Sequence, residues 1–187
     1  LLEVRAGNPP SSVEMLLRFK RIHSLEKLTD YWGDWETWFT QIEESHSTLP
    51  ALVFFRSPQG DQSWITAAGT VLDAAALTLS ALNLPNSPSA ALCIRAGFIA
   101  LRRIADNFDI PYPRDPQFPK TPISITQAEF NAVLLQLADA GLPLKDDREQ
   151  AWQDFAGWRV NYDHSLLALC DLVMAPPAFW SSDRHIN

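Results

Sequence analysis

Apolar and polar residues along this chain recur at the three- and four-residue spacing of amphipathic helices rather than the strict alternation of strands. Leu25, Leu28, Trp32, Trp35, Phe39 and Ile42 paint one face of a helix predicted from about Ser24 to Ser45, and Trp38 widens that face. A second stripe, Trp152, Phe155, Arg159, Tyr162, Leu166, Leu169 and Val173, predicts one long final helix from about Asp146 to a stop before Ala175-Pro176-Pro177. Between them lie an Ala-rich helical stretch from about Gln62 to Leu82 and another from Pro88, with Ser87 as its cap, to about Asn107.

Punctuation supplies the remaining boundaries. Ser11 stands three before Glu14, and Thr126 three before Glu129, which is capping-box spacing. The first predicts a short helix to about Arg21, and the second a helix closed by Gly141. The apolar run Leu49 to Arg56 fits helix or strand by pattern. Pro50 suits a first helical turn and no partner strand is evident, so helix is the better reading. Residues 57–61 read as a turn. Prolines at 111, 113, 116, 119 and 122 forbid a regular helix across 109–122, which becomes an extended crossover. The expected fold is therefore all-α, a single-domain bundle of about six or seven helices spanning 1–187, with no internal repeat.

Composition agrees with a globular domain: 47% of residues are apolar, too many for a disordered chain. A net charge of −7 repels phosphate backbones, and the best basic cluster, Arg18, Lys20, Arg21, His23 and Lys27, is followed at once by acidic residues. Nucleic acid is therefore not an expected partner. Cys93 and Cys170 fall within apolar helical patterns and read as core thiols of a reducing compartment. The longest charge-free stretch, Ala74 to Ile94, is interrupted at Pro85-Asn86-Ser87-Pro88, short of the roughly 20 continuous apolar residues of a membrane span. The opening Leu-Leu-Glu-Val has no initiating Met, which suggests a piece of a longer protein.

Candidate chemistry is sparse. Asp73, Arg95 and Arg159 sit where the helical patterns point inward, and a buried charge needs a partner. Asp73 paired with Arg95 or with Arg159 is the simplest arrangement. With Tyr162 these residues are either a structural ion pair that fixes helix register or a ligand site between helices. Glu43 and His46 have the Glu-x-x-His spacing of bundle di-iron proteins, but that motif occurs once where two are needed, so a solvated helix end is expected and no metal or cofactor is assigned. No Gly-rich phosphate loop or nucleophile elbow occurs, and no catalytic residue is assigned. Trp32, Trp35 and Trp38 form either core or an aromatic ledge for a ligand, with core the commoner outcome. Phe179 and Trp180 should dock back on the bundle, with Asp183 and Arg184 closing its end.

The strings His46-Ser-Thr-Leu-Pro-Ala-Leu-Val-Phe-Phe-Arg-Ser57, Val71-Leu-Asp-Ala-Ala-Ala-Leu77, Phe155-Ala-Gly-Trp-Arg-Val-Asn-Tyr162 and Trp180-Ser-Ser-Asp-Arg184 resemble the soluble C-terminal part of uncharacterised bacterial potassium-channel-like membrane proteins. The resemblance implies a non-enzymatic, cytosolic regulatory or assembly domain, tethered to the inner membrane through an upstream transmembrane region and able to self-associate. No Thr-Val-Gly-Tyr-Gly filter occurs here, so conduction is not implied for these residues. The alternative expectation is a helical small-ligand-binding protein or enzyme with a polar site around Asp73, Arg95 and Arg159.

Overall fold

The computed structural model describes residues 2–55, 62–85 and 88–185. It is all-α, with helices α1 (Leu2–Ala6), α2 (Ser12–Arg21), α3 (Leu28–Thr48), α4 (Trp64–Ala81), α5 (Pro88–Asp106), α6 (Gln127–Asp139), α7 (Arg148–Arg159) and α8 (Asp163–Leu172). The predicted turn at 57–61 and the Ser87 cap lie outside the described residues.

The core is built around α4. Its run of Ala, Leu, Val and Thr is buried almost all round, between α5 on one side and α7 and α8 on the other. This helix is long and apolar enough to cross a membrane, yet 83% of it is buried, as in the central helix of a globular core. Helices α3 and α5 pack along each other beside it. Close approach there depends on Gly97: a Cβ at that position would lie 2.4 Å from Leu72 Cδ2 and 3.1 Å from the Phe39 ring.

Local signals explain most boundaries. The Ser11 hydroxyl accepts from Glu14 N, and Thr126 with Glu129 forms a complete capping box. Gly141, at φ +75°, ends the turn after α6. The run after Leu49 is helical but tighter than α, a 3-10 turn over Pro50–Phe54. The predicted start of α3 at Ser24 is likewise a 3-10 turn, Leu25–Lys27, before α geometry begins at Leu28. Residues 109–122 form the irregular crossover that their prolines require.

The predicted long final helix is two helices. Its stripe is nonetheless buried throughout, from Trp152 to Val173. The break falls at residues 160–162, where the Asn161 side-chain amide donates to Gly157 O at 2.9 Å and competes with the backbone ladder. Asn161 N and Tyr162 N reach back only three residues, to Trp158 O and Arg159 O, and Arg102 Nε of α5 takes the freed Asn161 carbonyl at 3.1 Å. Helix α1 was not expected, because five residues are too few to show a period. It is held from outside: Arg18 Nη1 donates to Glu3 O at 2.8 Å and Val4 O at 2.7 Å, while Glu14 aligns the guanidinium at 2.7 Å.

Gly97→Ala is expected to destabilise the protein by about 1–3 kcal/mol, because the added methyl must displace Leu72 or Phe39 in a filled core. Gly157→Ala, whose Cβ meets nothing within 4 Å, is the control and should gain up to about 1 kcal/mol of helix propensity. Urea denaturation of the two variants checks both signs.

Candidate functional site

The inward charges form one sealed network. Asp73, midway along α4, accepts from Arg159 Nη1 at 2.7 and 2.8 Å and from the Tyr162 hydroxyl at 2.9 Å. Arg159 Nε donates to Asp163 Oδ1 at 2.6 Å, and its Nη2 donates to the Trp180 carbonyl at 2.8 Å. Asp163, the first residue of α8, also accepts from Ser124 N at 2.9 Å and Ser124 Oγ at 2.7 Å. The break between α7 and α8 makes this possible: a turn at 160–162 lets Arg159, Tyr162 and Asp163 converge, and the Asp163 carboxylate sits where a helix N-terminus favours negative charge.

Asp73, Arg159 and Tyr162 are all 0% exposed. Burial pushes the Asp73 carboxyl up, opposed by the Arg159 guanidinium and the Tyr162 hydroxyl. Burial also works against the charge on Arg159, but the fields of Asp73 and Asp163 outweigh it and hold the guanidinium protonated. Burial and the neighbouring Asp73 charge keep Tyr162 protonated, as a hydrogen-bond donor. These three residues face one another and the core, with no room for a ligand, so the structural alternative fits them.

Arg95 does not join them. The buried face of α5 runs through Ala90, Cys93, Ile94, Gly97, Ala100, Leu101 and Ile104, and Arg95 turns out to solvent. Its small neighbours Ala96 and Gly97 mimic an inward position without providing one. The expected solvated end at Glu43 and His46 is also corrected. His46 is 7% exposed, lies 4.9 Å from the Trp64 ring and meets Ser45 Oγ at 3.0 Å, while Glu43 forms an ion pair with Arg103 of α5. Among the described residues no cluster of three or more His, Cys, Asp or Glu is placed to hold a metal. Cys93 and Cys170 are buried free thiols, with burial pushing Cys170 up to about 12 and Cys93 higher still.

The tail docks as expected. Trp180 is fully buried, 5.4 Å from Phe155 between ring centroids. Arg184 donates to Ser124 O at 2.9 Å and pairs with Glu129 and Asp183, each at 3.1 Å.

The concave site lies elsewhere. A cavity of about 460 Å³ opens between α1, α3 and the start of α4. Tyr31, Trp35, Trp38 and Trp64 wall it, with Glu3, Arg5 and Asp34 supplying charge. The tryptophan series divides: Trp32 is wholly buried in the core, whereas Trp35 and Trp38 are partly exposed and meet edge to face at 4.7 Å on the cavity wall. Trp64 is aimed by its indole N–H, which donates to Val53 O at 3.0 Å in the 3-10 turn, and by its contact with His46. Gln62 Nε2 bonds Glu3 Oε2 at 2.8 Å and ties α1 to the entry of α4. The Arg5 guanidinium lies over the Tyr31 ring, 5.3 Å from its centroid. The Tyr31 hydroxyl is buried beside Trp35, and burial pushes its pKa up to about 12 against the opposing Trp35 and Arg5 contributions. A smaller cavity of about 270 Å³ lies over the outer edge of Asp163, beside His164 and His185.

Trp35 and Trp38 were visible in the helical pattern. Arg5, Tyr31 and Trp64 were not, because what unites them is the docking of α1, and no local spacing records it. Comparison of the chain with family models, with curated proteins and with solved structures finds no match. The site is therefore read from its own chemistry.

Arg159→Met is expected to cost about 3–5 kcal/mol, since it strands two carboxylates in the core. Tyr162→Phe, which removes one hydrogen bond to a charged acceptor, should cost about 1.5–3 kcal/mol. Equilibrium denaturation separates the two, and a loss under about 1 kcal/mol for Arg159→Met contradicts a structural role for the network.

Burial lowers the His46 pKa in the folded protein. The unfolded chain, titrating near pH 6.5, thus binds the proton more readily. The His46 contribution to stability is complete above that pH and declines as pH falls from it toward the depressed folded value. His46→Gln should flatten the stability profile between about pH 7 and 5.5, measured by denaturation at fixed ionic strength.

Proposed function

We propose that this all-α domain is a non-enzymatic regulatory module that binds a small molecule in the aromatic cavity between α1, α3 and α4. The cavity carries the reading. At about 460 Å³ it falls within the range of small-ligand sites, and it combines apolar walls with a few charged groups, as such sites do. Aromatic faces and ion-pairing side chains suit retention of a ligand. Polar-ligand binding moves here from Asp73, Arg95 and Arg159, two of which are sealed and one of which faces outward.

The setting in this reading comes from the resemblance to potassium-channel-like proteins: a cytosolic domain tethered to the inner membrane by a transmembrane region of the same protein. Helix α1 forms part of the cavity wall, so an upstream segment would join the domain at its ligand site. A second reading, assembly through self-association, is favoured by an apolar patch at the 3-10 turn, where Leu49 is 55% exposed, Phe54 51% and Phe55 71%.

Titration of the protein with the neutral dye Nile red is expected to give a saturable fluorescence change, lost in Ala67→Trp, which fills the cavity from the α4 wall. Binding that survives Ala67→Trp overturns the cavity assignment. For the second reading, light scattering should show an oligomer that Phe55→Ser returns to monomer.

A further inference from the structure

The charge and ring geometry of the cavity point to a class of ligand. Four aromatic side chains, Tyr31, Trp35, Trp38 and Trp64, converge on it. Aromatic faces carry negative electrostatic potential and attract cations within about 6 Å of the ring centroid. Two carboxylates, Glu3 and Asp34, share the lining with a single guanidinium, Arg5, so the lining charge leans negative, as does the whole protein at −7. A desolvated anion would face repulsion from rings and carboxylates alike. The protein already places one cation there: the Arg5 guanidinium sits over Tyr31 at cation–π distance.

We propose that the cavity binds a small organic cation, an alkylated or protonated amine, and that Arg5 is its internal stand-in, covering the Tyr31 face until the ligand displaces it. This inference rests on the reading of the cavity as a ligand site and assigns its chemistry. The arrangement gives α1 a part in binding. Arg5 belongs to a five-residue helix whose attachments include exposed bonds from Arg18 to Glu3 O and Val4 O and from Gln62 to Glu3, together with the buried Ala6.

Choline and its uncharged isostere 3,3-dimethyl-1-butanol, titrated calorimetrically into the intact chain, test the ligand class. Choline is expected to bind at least about tenfold more tightly, and Trp38→Ala should erase that preference. Arg5→Met, which keeps the aliphatic stem but removes the charge, is expected to tighten choline binding several-fold. Arg5→Lys, which keeps a competing cation, should leave it near wild type. Circular dichroism and a single cooperative denaturation transition confirm that each variant is folded.

Equal or tighter binding of the isostere overturns the cation assignment and leaves the cavity as a ligand site. Weaker or unchanged choline binding by Arg5→Met overturns the stand-in role, and a weakened complex identifies Arg5 as a direct ligand contact instead. If neither choline, its isostere nor Nile red binds, both the inference and the reading beneath it fall.

Discussion

A guanidinium with no access to water must carry its solvation in the protein, and around Arg159 that solvation is drawn from elements far apart in the chain. Asp73 comes from α4, Asp163 from the head of α8, and the carbonyl of Trp180 from the tail, while Ser124 in the crossover fixes Asp163 in turn. Hydrophobic burial of Ala and Leu along α4 is permissive, since small apolar side chains pack in several registers. The charge is not: a shift of one helical step separates Arg159 from Asp73 and leaves both unpaired at a cost of several kcal/mol. The network thus selects one arrangement of the C-terminal half from those the apolar stripes allow.

That half is also where helical patterning and folded structure part company in an informative way. The stripe from Trp152 to Val173 is buried along its full length, as its spacing implies, yet the backbone beneath it breaks at 160–162. Periodicity reports which side chains face inward and is blind to a one-turn interruption that preserves the phase. The breaking agent, the Asn161 amide bonded to Gly157 O, is an ordinary residue in sequence, and Arg102 of another helix supports the break by donating to its carbonyl. Caps, by contrast, are local chemistry, and Ser11, Thr126 and Gly141 mark their helix ends from sequence alone.

The site shows the same division. The paired burial of Asp73 and Arg159 was legible because a charge within an apolar stripe must find a partner. Arg95 misled because small neighbours resemble an inward position whichever way the helix is turned. The aromatic cavity was only half legible. Two of its walls lie on the Trp35 and Trp38 ledge, but the feature that makes it concave is α1 folding over them, held by Arg18 to backbone carbonyls that any sequence would offer. Helix α4 links the two regions. Trp64 at its start faces the cavity and Asp73, nine residues on and about 13 Å along the axis, anchors the network.

The docked tail has a bearing on how the chain is made. Trp180 is among the most buried side chains in the protein, and its carbonyl supplies the last partner of Arg159. During synthesis the N-terminal helices emerge and can pack first, but the central charge has an incomplete shell until residue 180 has left the ribosome. The C-terminal half therefore reaches its final form only after residue 180 has emerged, and a chain cut short before Trp180 is left with its innermost cation under-solvated.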